Sequence, residues 1–202
     1  MVGVIRFDRD AALDAAMRLF WAKGFDATSI QMLEEATGLG RGSLYNAFGD
    51  KEALFLAALR RYAERAAAPV SATLEGASLE EGLRRLFAGM IARMDEPGRP
   101  KGCLLVNSCA AASGSPEGAR FAAAALRGME EGFASVFAAA QAAGGLPGDA
   151  DIRALARFFS AVAQSLGLLH RAGAERRALE DVARTALSAL PLRALSAGLP
   201  QS

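Results

Sequence analysis

Apolar residues recur at intervals of three and four along most of the chain, and this spacing limits the fold more than any other feature of the sequence. Near the start, Leu13, Met17 and Phe20 follow the pattern of one helix face in a segment closed by Gly24. No run of five or six residues alternates apolar and polar side chains as a half-buried strand does. The sequence therefore predicts an all-α fold.

Glycine, proline and polar breaks divide the helical pattern into segments. We predict helices over residues 9–23, 29–37, 41–47, 50–67, 79–94, 101–112, 117–143, 149–171 and 175–190. The pattern loosens after residue 67, so we expect two domains, residues 1–67 and residues 68–202. The first holds three helices with a fourth as connector, and the second is a helical bundle. The tail from Pro191 is expected to fray.

The charge balance and the cysteine content exclude several classes of protein. Lys and Arg number 23 against 22 Asp and Glu, so the net charge of +1 creates no global attraction to nucleic acid or anionic lipid. Two cysteines, Cys103 and Cys109, lack the spacing of a zinc site, and the first residues lack the features of a secretory signal. We expect a cytoplasmic protein with no cofactor, no metal and no membrane partner.

Residues 28–48 have the sequence form of a helix-turn-helix, in which two short helices flank a tight turn at Gly38. Glycine adopts a positive φ without strain, which such a turn requires. The expected inward residues are Leu33, Ala36, Leu39 and Leu44. The second helix would then present Arg41, Ser43, Tyr45 and Asn46, which are residue types that contact DNA grooves.

An ordered string of residues in and around this motif resembles the tetracycline-repressor (TetR) family of bacterial transcriptional regulators. The string comprises Phe20, Gly24-Phe25, Thr28-Ser29-Ile30, Ala36-Thr-Gly-Leu39, Arg41-Gly-Ser-Leu-Tyr45, Phe48 and Lys51-Glu-Ala-Leu54. The resemblance covers about residues 8 to 60. It implies a ligand-responsive regulator, expected to be a repressor, that binds double-stranded operator DNA as a homodimer.

By this resemblance, the helix that begins at Arg41 enters the major groove. There we expect Arg41 to read guanine and Asn46 to read adenine, because both side chains offer bidentate hydrogen bonds. Gly42 lets the backbone approach the DNA, and Lys51 contacts a phosphate, as do Thr28 and Tyr45. The full set of expected DNA-binding residues is Thr28, Ser29, Gln31, Arg41, Gly42, Ser43, Tyr45, Asn46 and Lys51. Three positions depart from the family pattern: Met32, Glu34 and Gly40. Residues 1–65 carry nine basic and nine acidic side chains, so the affinity must depend on local contacts and on dimerisation.

The larger domain contains Met and Phe residues at helical spacing, which suit an adaptable apolar cavity but are equally typical of an ordinary core. The expected ligand-binding residues are Phe87, Met90, Met94, Cys103, Asn107, Phe121, Phe133, Phe137 and Gln164. The effector is expected to be small and either apolar or electrophilic. An electrophile or oxidant would act through Cys103, which follows Lys101 in a segment resembling one branch of the family; a small apolar filler is the alternative role.

Two apolar helix faces near the C-terminus predict the four-helix dimer interface that is usual in the TetR family. The expected interface residues are Phe158, Val162, Leu166, Leu179, Val182 and Leu187. Two other functions remain open at this point. One is a small thiol enzyme that uses Cys103 with His170, although no active-site motif accompanies them, and the other is a helical scaffold that has lost DNA binding.

Overall fold

The computed structural model describes residues 7–72, 75, 77–110 and 114–191, and within these ranges it contains nine helices and no strand. The helices are α1 (Arg9–Lys23), α2 (Ile30–Thr37), α3 (Arg41–Phe48), α4 (Lys51–Ser71), α5 (Leu79–Met94), α6 (Leu104–Ala110), α7 (Pro116–Ala142), α8 (Ile152–Arg171) and α9 (Arg176–Ser188). The all-α prediction is confirmed. Two expectations concern residues outside the described ranges. They are the fraying of the tail after Pro191 and the end of the sixth helix at residues 111 and 112.

Helix starts coincide with side chains that accept a hydrogen bond from the first turn, which explains why most boundaries were predictable. Asp8 caps α1, Asp50 caps α4 and Asp151 caps α8. The predicted start of the sixth helix at residue 101 is wrong. Gly102 has φ of 88°, a left-handed conformation that interrupts the chain before α6 begins at Leu104.

The first hydrophobic core belongs to α1–α4 but also includes residues from later in the chain. Phe20, Leu54 and Leu59 are fully buried there, together with Leu104 and Leu105 of α6. The helices of the second half therefore complete the core of the N-terminal unit. The first core is therefore not built from residues 1–67 alone.

The start of α7 packs directly against α4. A Cβ atom added at Gly118 would lie 2.5 Å from the Phe55 ring, so glycine is required for this close approach. The hydroxyl of Ser115, the N-cap of α7, donates a hydrogen bond to the Glu52 carboxylate at 2.8 Å. The two contacts fix the N-terminal end of α7 to the N-terminal unit.

The second core lies among α5, α7, α8 and α9, and four buried phenylalanines occupy its centre. The Phe137 and Phe159 ring centroids are 5.2 Å apart, and those of Phe87 and Phe159 are 6.1 Å apart. Phe133 stacks on Phe137 at 6.3 Å. Such a cluster stabilises the bundle by burial and by favourable ring geometry.

Ion pairs join α1 to α4. Arg61 contacts both Asp10, at 2.8 Å, and Asp14, and Arg65 contacts Asp14 at 2.9 Å. Burial raises the pKa of Asp14, but the hydrogen bonds from Arg61 and Arg65 outweigh it, and the net pKa lies below its ordinary value. The carboxylate is thus stabilised in its charged form.

Candidate nucleic-acid interface and effector cavity

The turn between α2 and α3 has the geometry that the motif requires. Gly38 adopts φ 70° and ψ 12°, and its N–H donates to the Glu34 carbonyl at 2.9 Å, which ends α2. Leu33 and Leu44 are buried, as expected. The expectation for Ala36 is wrong, because Ala36 is exposed; this eight-residue helix buries only Leu33.

The outer face of α3 is the most accessible part of the motif. Arg41, Gly42, Ser43 and Asn46 are exposed, and Tyr45 is half-buried with the Arg41 guanidinium carbon 5.5 Å from its ring centroid. A Cβ atom at Gly42 would meet nothing within 4 Å, so the backbone there is open to a partner. This face offers donors and acceptors of the kinds that bind base edges and phosphates.

Arg9 holds the end of α3 in place, a role that the sequence pattern did not reveal. Its guanidinium donates to the Ala47 carbonyl at 3.0 Å and lies 5.0 Å from the Phe48 ring centroid. Arg9 therefore links the start of α1 to the end of α3. No periodic signal marks such a contact between residues 38 positions apart.

Three expected DNA-binding side chains around the start of α2 make contacts within the chain. Thr28 is fully buried and its hydroxyl donates to the Gly24 carbonyl at 2.6 Å, contrary to our expectation of a side chain facing a phosphate. Ser29 is exposed and its oxygen accepts from the Met32 N–H, and the Gln31 amide donates to Glu35 at 3.1 Å. Thr28 and Ser29 shape the start of α2 in this conformation.

Lys51 begins α4 and is half-buried beside the motif. Its Nζ atom lies 4.3 Å from the Phe25 ring centroid, a cation–π contact that explains why a lysine is tolerated at a helix N-terminus. The ring provides no counter-ion, so the Lys51 side chain can also contact a phosphate from outside.

A cavity of about 240 Å³ lies between the N-terminal unit and the bundle. Five of the nine expected ligand-binding residues line it: Met90, Met94, Cys103, Phe133 and Gln164. The structure brings these together from α5, α7, α8 and the turn before α6.

The other four expected ligand-binding residues lie elsewhere. Phe87 and Phe137 are packed in the aromatic core, because the faces that carry them meet Phe159. Phe121 packs against the first core, and Asn107 lines a second, smaller cavity of about 100 Å³. Helical spacing identifies an apolar face but does not tell whether a neighbour or a cavity covers it.

Several cavity residues were missed by sequence reasoning: Met17, Trp21, Tyr62, Arg65, Arg93 and Arg99. Arg93 follows Met90 by three positions and so shares its helix face, a signal that was present in the sequence. Trp21 follows Met17 by four positions in the same way. Arg99 lies outside any helix, and no periodicity marks it.

Cys103 and Tyr62 both line the cavity. Burial, followed by the electrostatic influence of Cys103 and a hydrogen bond with its thiol, raises the pKa of Tyr62 well above its ordinary value. Cys109 does not line the cavity among the described residues, and burial raises the pKa of its thiol. The two cysteines therefore have different surroundings.

Two segments of the chain match families of known proteins. Residues 12–58 match the family described as bacterial regulatory proteins, tetR family, and residues 80–186 match the family described as the tetracyclin repressor-like C-terminal domain. The chain belongs to the TetR family.

Three relatives within the TetR fold show how far the likeness extends. The HTH-type transcriptional repressor ComR of Escherichia coli (strain K12) is 37% identical over 188 residues, which is 92% of this chain and 90% of ComR. The uncharacterized HTH-type transcriptional regulator YezE of Bacillus subtilis (strain 168) is 33% identical over 91% of this chain and 96% of YezE. A cysteine mutant of the TetR family transcriptional regulator CifR, complexed with 26-base-pair double-strand operator DNA, is 34% identical with a TM-score of 0.84, covering 94% of this chain and 100% of that chain.

Helix α8 of this TetR-family chain presents apolar residues to solvent. Phe158 is 44% exposed and Leu168 is 58% exposed, and Ala161 between them is exposed as well. Within the described residues, α8 is the one helix long and apolar enough to cross a membrane, a test that core helices of soluble proteins also pass. The apolar surface of α8 is therefore only partly buried within a single described chain.

The remaining expected interface residues of this TetR-family chain are less accessible. Val162, Leu166 and Leu179 are buried inside the second core, and Val182 and Leu187 are half-buried against it. The expectation treated each helix as having one apolar face. In α8 the buried and exposed apolar residues form two faces, and only the exposed one is open to a partner.

His170 ties the end of α8 to the turn before α6. Its Nδ1 atom accepts a hydrogen bond from the Gly102 N–H at 3.2 Å, which requires the neutral imidazole. Burial, followed by the charge of Lys101, lowers the pKa of His170. In this TetR-family chain His170 is a structural acceptor that fixes the turn beside Cys103.

Proposed function

We propose that this TetR-family protein is a transcriptional repressor that binds an operator in double-stranded DNA through the exposed face of α3. The observation that carries the proposal is the set of four exposed positions on α3 (Arg41, Gly42, Ser43 and Asn46), on a helix anchored by Arg9. The likeness to the repressor ComR and to CifR in its operator complex supports it. The site of action is then the cytoplasm.

The contacts follow from the chemistry of the exposed side chains. Arg41 reads a guanine edge and Asn46 an adenine edge, since both side chains form bidentate hydrogen bonds. Lys51 and Tyr45 contact phosphates, which position the helix in the groove. Residues 1–67 act as the DNA-binding domain and residues 68–202 as the regulatory domain, although the two share a hydrophobic core.

The active form is a homodimer that associates through α8. Phe158 and Leu168 are the exposed large apolar residues of the described chain, and they lie ten positions apart on one helix. A second copy would cover both through the same surface, as two-fold symmetry requires. Two recognition helices would then contact half-sites roughly 34 Å apart, or a multiple of that spacing, in a pseudo-palindromic operator.

A small molecule that enters the cavity releases the operator. The cavity is bounded by Trp21 of α1 and Tyr62 of α4, so an occupant contacts the DNA-binding domain directly. Cys103 at its wall supports an electrophilic effector as the second possibility. The CifR complex contains a cysteine mutant, so in that protein the substituted cysteines are not needed for operator binding.

The decisive experiment is a titration of the chain with fluorescently labelled DNA from upstream of its own gene, followed by anisotropy and by footprinting. We expect saturable binding to a symmetric site, with a stoichiometry of two chains for each duplex. Binding of all sequences with equal affinity, or none at all, would favour the scaffold alternative and contradict the proposal. The thiol-enzyme alternative is set aside because TetR-family proteins act by binding DNA.

A further inference from the structure

The charged side chains around the cavity have one sign. Arg65, Arg93 and Arg99 line it, and among the described lining residues there is no Asp or Glu. The chain as a whole is nearly neutral, so this local excess of positive charge is not a consequence of composition. An arginine in this wall whose charge is not already paired with a carboxylate favours an anionic occupant.

The three arginines differ in their partners. Arg65 pairs with Asp14 at 2.9 Å, and Arg99 pairs with Glu96 at 3.3 Å. Arg93 is half-buried in the last turn of α5, and no ion pair joins it to any carboxylate of the described chain. Arg93 is therefore the guanidinium with unused capacity to bind a carboxylate.

Trp21 adds an unsatisfied hydrogen-bond donor at the same place. Its side chain lines the cavity and is only 4% exposed, yet its indole Nε1 has no acceptor within the described chain. A buried donor without a partner is unfavourable, so a ligand oxygen that accepts from it is favoured. The Trp21 ring is held between Tyr62, at 4.9 Å, and the Arg99 guanidinium, at 4.7 Å.

The rest of the wall is apolar and deformable. Four of the six methionines of the chain line the cavity: Met17, Met90, Met94 and Met129. Phe133 and several aliphatic residues complete this part of the wall. Methionine side chains adapt to irregular apolar shapes. This part of the wall suits a hydrocarbon or aromatic body, and the arginines suit a single acidic group attached to it.

We propose that the cavity binds an amphipathic monoanion, an apolar body carrying one carboxylate, with Arg93 as its counter-ion and the Trp21 indole N–H as a hydrogen-bond donor. This inference rests on the proposed function, because it names the chemical class of the effector. The ligand contacts Met17 and Trp21 of α1 at one end and α5 at the other. Occupancy would thereby affect α1, the helix whose Arg9 contacts the end of α3.

The test compares carboxylates with neutral analogues of the same shape. Octanoate and 4-phenylbutanoate are titrated against the purified full chain beside octanamide and 4-phenylbutanamide. Trp21 is the one tryptophan of the chain, so its fluorescence reports directly on the cavity, and calorimetry gives an independent dissociation constant. We expect each carboxylate to bind at least about tenfold more tightly than its amide, because a charged hydrogen bond is stronger than a neutral one.

Variants assign the binding to the proposed residues. Arg93→Gln should weaken carboxylate binding about tenfold or more and leave amide binding nearly unchanged. Arg120→Gln, at an exposed position of α7 away from the cavity, is the matched control and should change neither. Trp21→Phe keeps the aromatic ring and removes the donor; measured by calorimetry, it should weaken carboxylate binding while circular dichroism stays the same.

Equal affinity for carboxylate and amide, no effect of Arg93→Gln, or no binding of either carboxylate at millimolar concentration overturns the inference. Operator binding is measured separately on the same samples without any carboxylate. Operator binding without carboxylate selectivity means that the ligand class is wrong while the repressor proposal stands. Selective carboxylate binding without operator binding means that the ligand class is right while the repressor proposal is wrong.

Discussion

The Nζ atom of Lys51, the first residue of α4, lies 4.3 Å from the centre of the Phe25 ring. The ring stabilises the ammonium charge without neutralising it, since a cation–π contact provides no counter-ion. A phosphate that approaches the motif therefore meets a lysine that is already positioned. The contact also gives Lys51 a structural role. Thermal stability reports on this structural role, whereas DNA affinity and its salt dependence report on the phosphate contact.

Lys51→Ala should weaken binding to all DNA sequences about equally and lower the slope of log K against log salt by about one for each phosphate that the protein no longer neutralises. Binding titrations at several salt concentrations measure both quantities. Lys101→Ala, at an exposed position before α6, is the control. If Lys51→Ala changed thermal stability but neither affinity nor slope, Lys51 would serve only the interaction with Phe25.

Arg41→Ala should cost roughly 1–3 kcal/mol on the preferred operator and relax the base preference at one position of each half-site. The reason is that the alanine side chain cannot form the bidentate hydrogen bonds to guanine. Competition between the operator and single-base variants measures the preference, with Arg120→Ala as a variant outside the motif. A uniform weakening across all sequences would instead assign Arg41 to a phosphate.

Phe158→Glu should convert the dimer into monomers that keep their helical content. The substitution places a carboxylate on the exposed apolar face of α8 in both copies, and we expect the dimer dissociation constant to rise at least about tenfold, or 1.4 kcal/mol. Sedimentation velocity over a range of concentrations provides the measurement. Ala138→Glu, at an exposed position of α7, should leave association intact. A dimer that is indifferent to both changes would have another interface.

Asp14→Asn should destabilise the fold by about 1–2 kcal/mol at neutral pH, because Arg61 and Arg65 lose a charged partner. The folded-state pKa of Asp14 is below its unfolded value, so its contribution is present above that unfolded value and is lost as the pH falls through the folded pKa. Urea unfolding should show wild type and variant converging below about pH 4. Asp181→Asn, which breaks an exposed pair with Arg184, should cost little at any pH. A constant difference across pH would contradict the assignment.

Cys103→Ser should abolish operator release by a quinone if an electrophile acts in the cavity, and it should leave release by a reversible ligand nearly unchanged. Cys109→Ser is the matched control, since burial raises the pKa of the Cys109 thiol and reduces its reactive thiolate form. Anisotropy with labelled operator follows the release. Identical responses of wild type and Cys103→Ser would remove the thiol from the mechanism.

The local parts of the structure were predictable from the sequence, and the long-range parts were not. Helix periodicity, the caps at Asp8 and Asp50 and the turn at Gly38 all depend on residues close in the chain. The contact of Arg9 with Ala47 and the burial of Thr28 depend on how distant segments pack. The cavity shows the same limit: its methionines follow a helix pattern, whereas its arginines come from three separate segments.

The seat of α7 on α4 makes that helix a lever. With 27 residues it is about 40 Å long, and its near end is held where Gly118 meets Phe55 and Ser115 meets Glu52. A tilt of about 5° around this pivot moves the far end by about 3.5 Å, given that length. The far half packs against α8, so in the proposed dimer a small rearrangement beside the pivot would be amplified into a change in the distance between the two α3 helices.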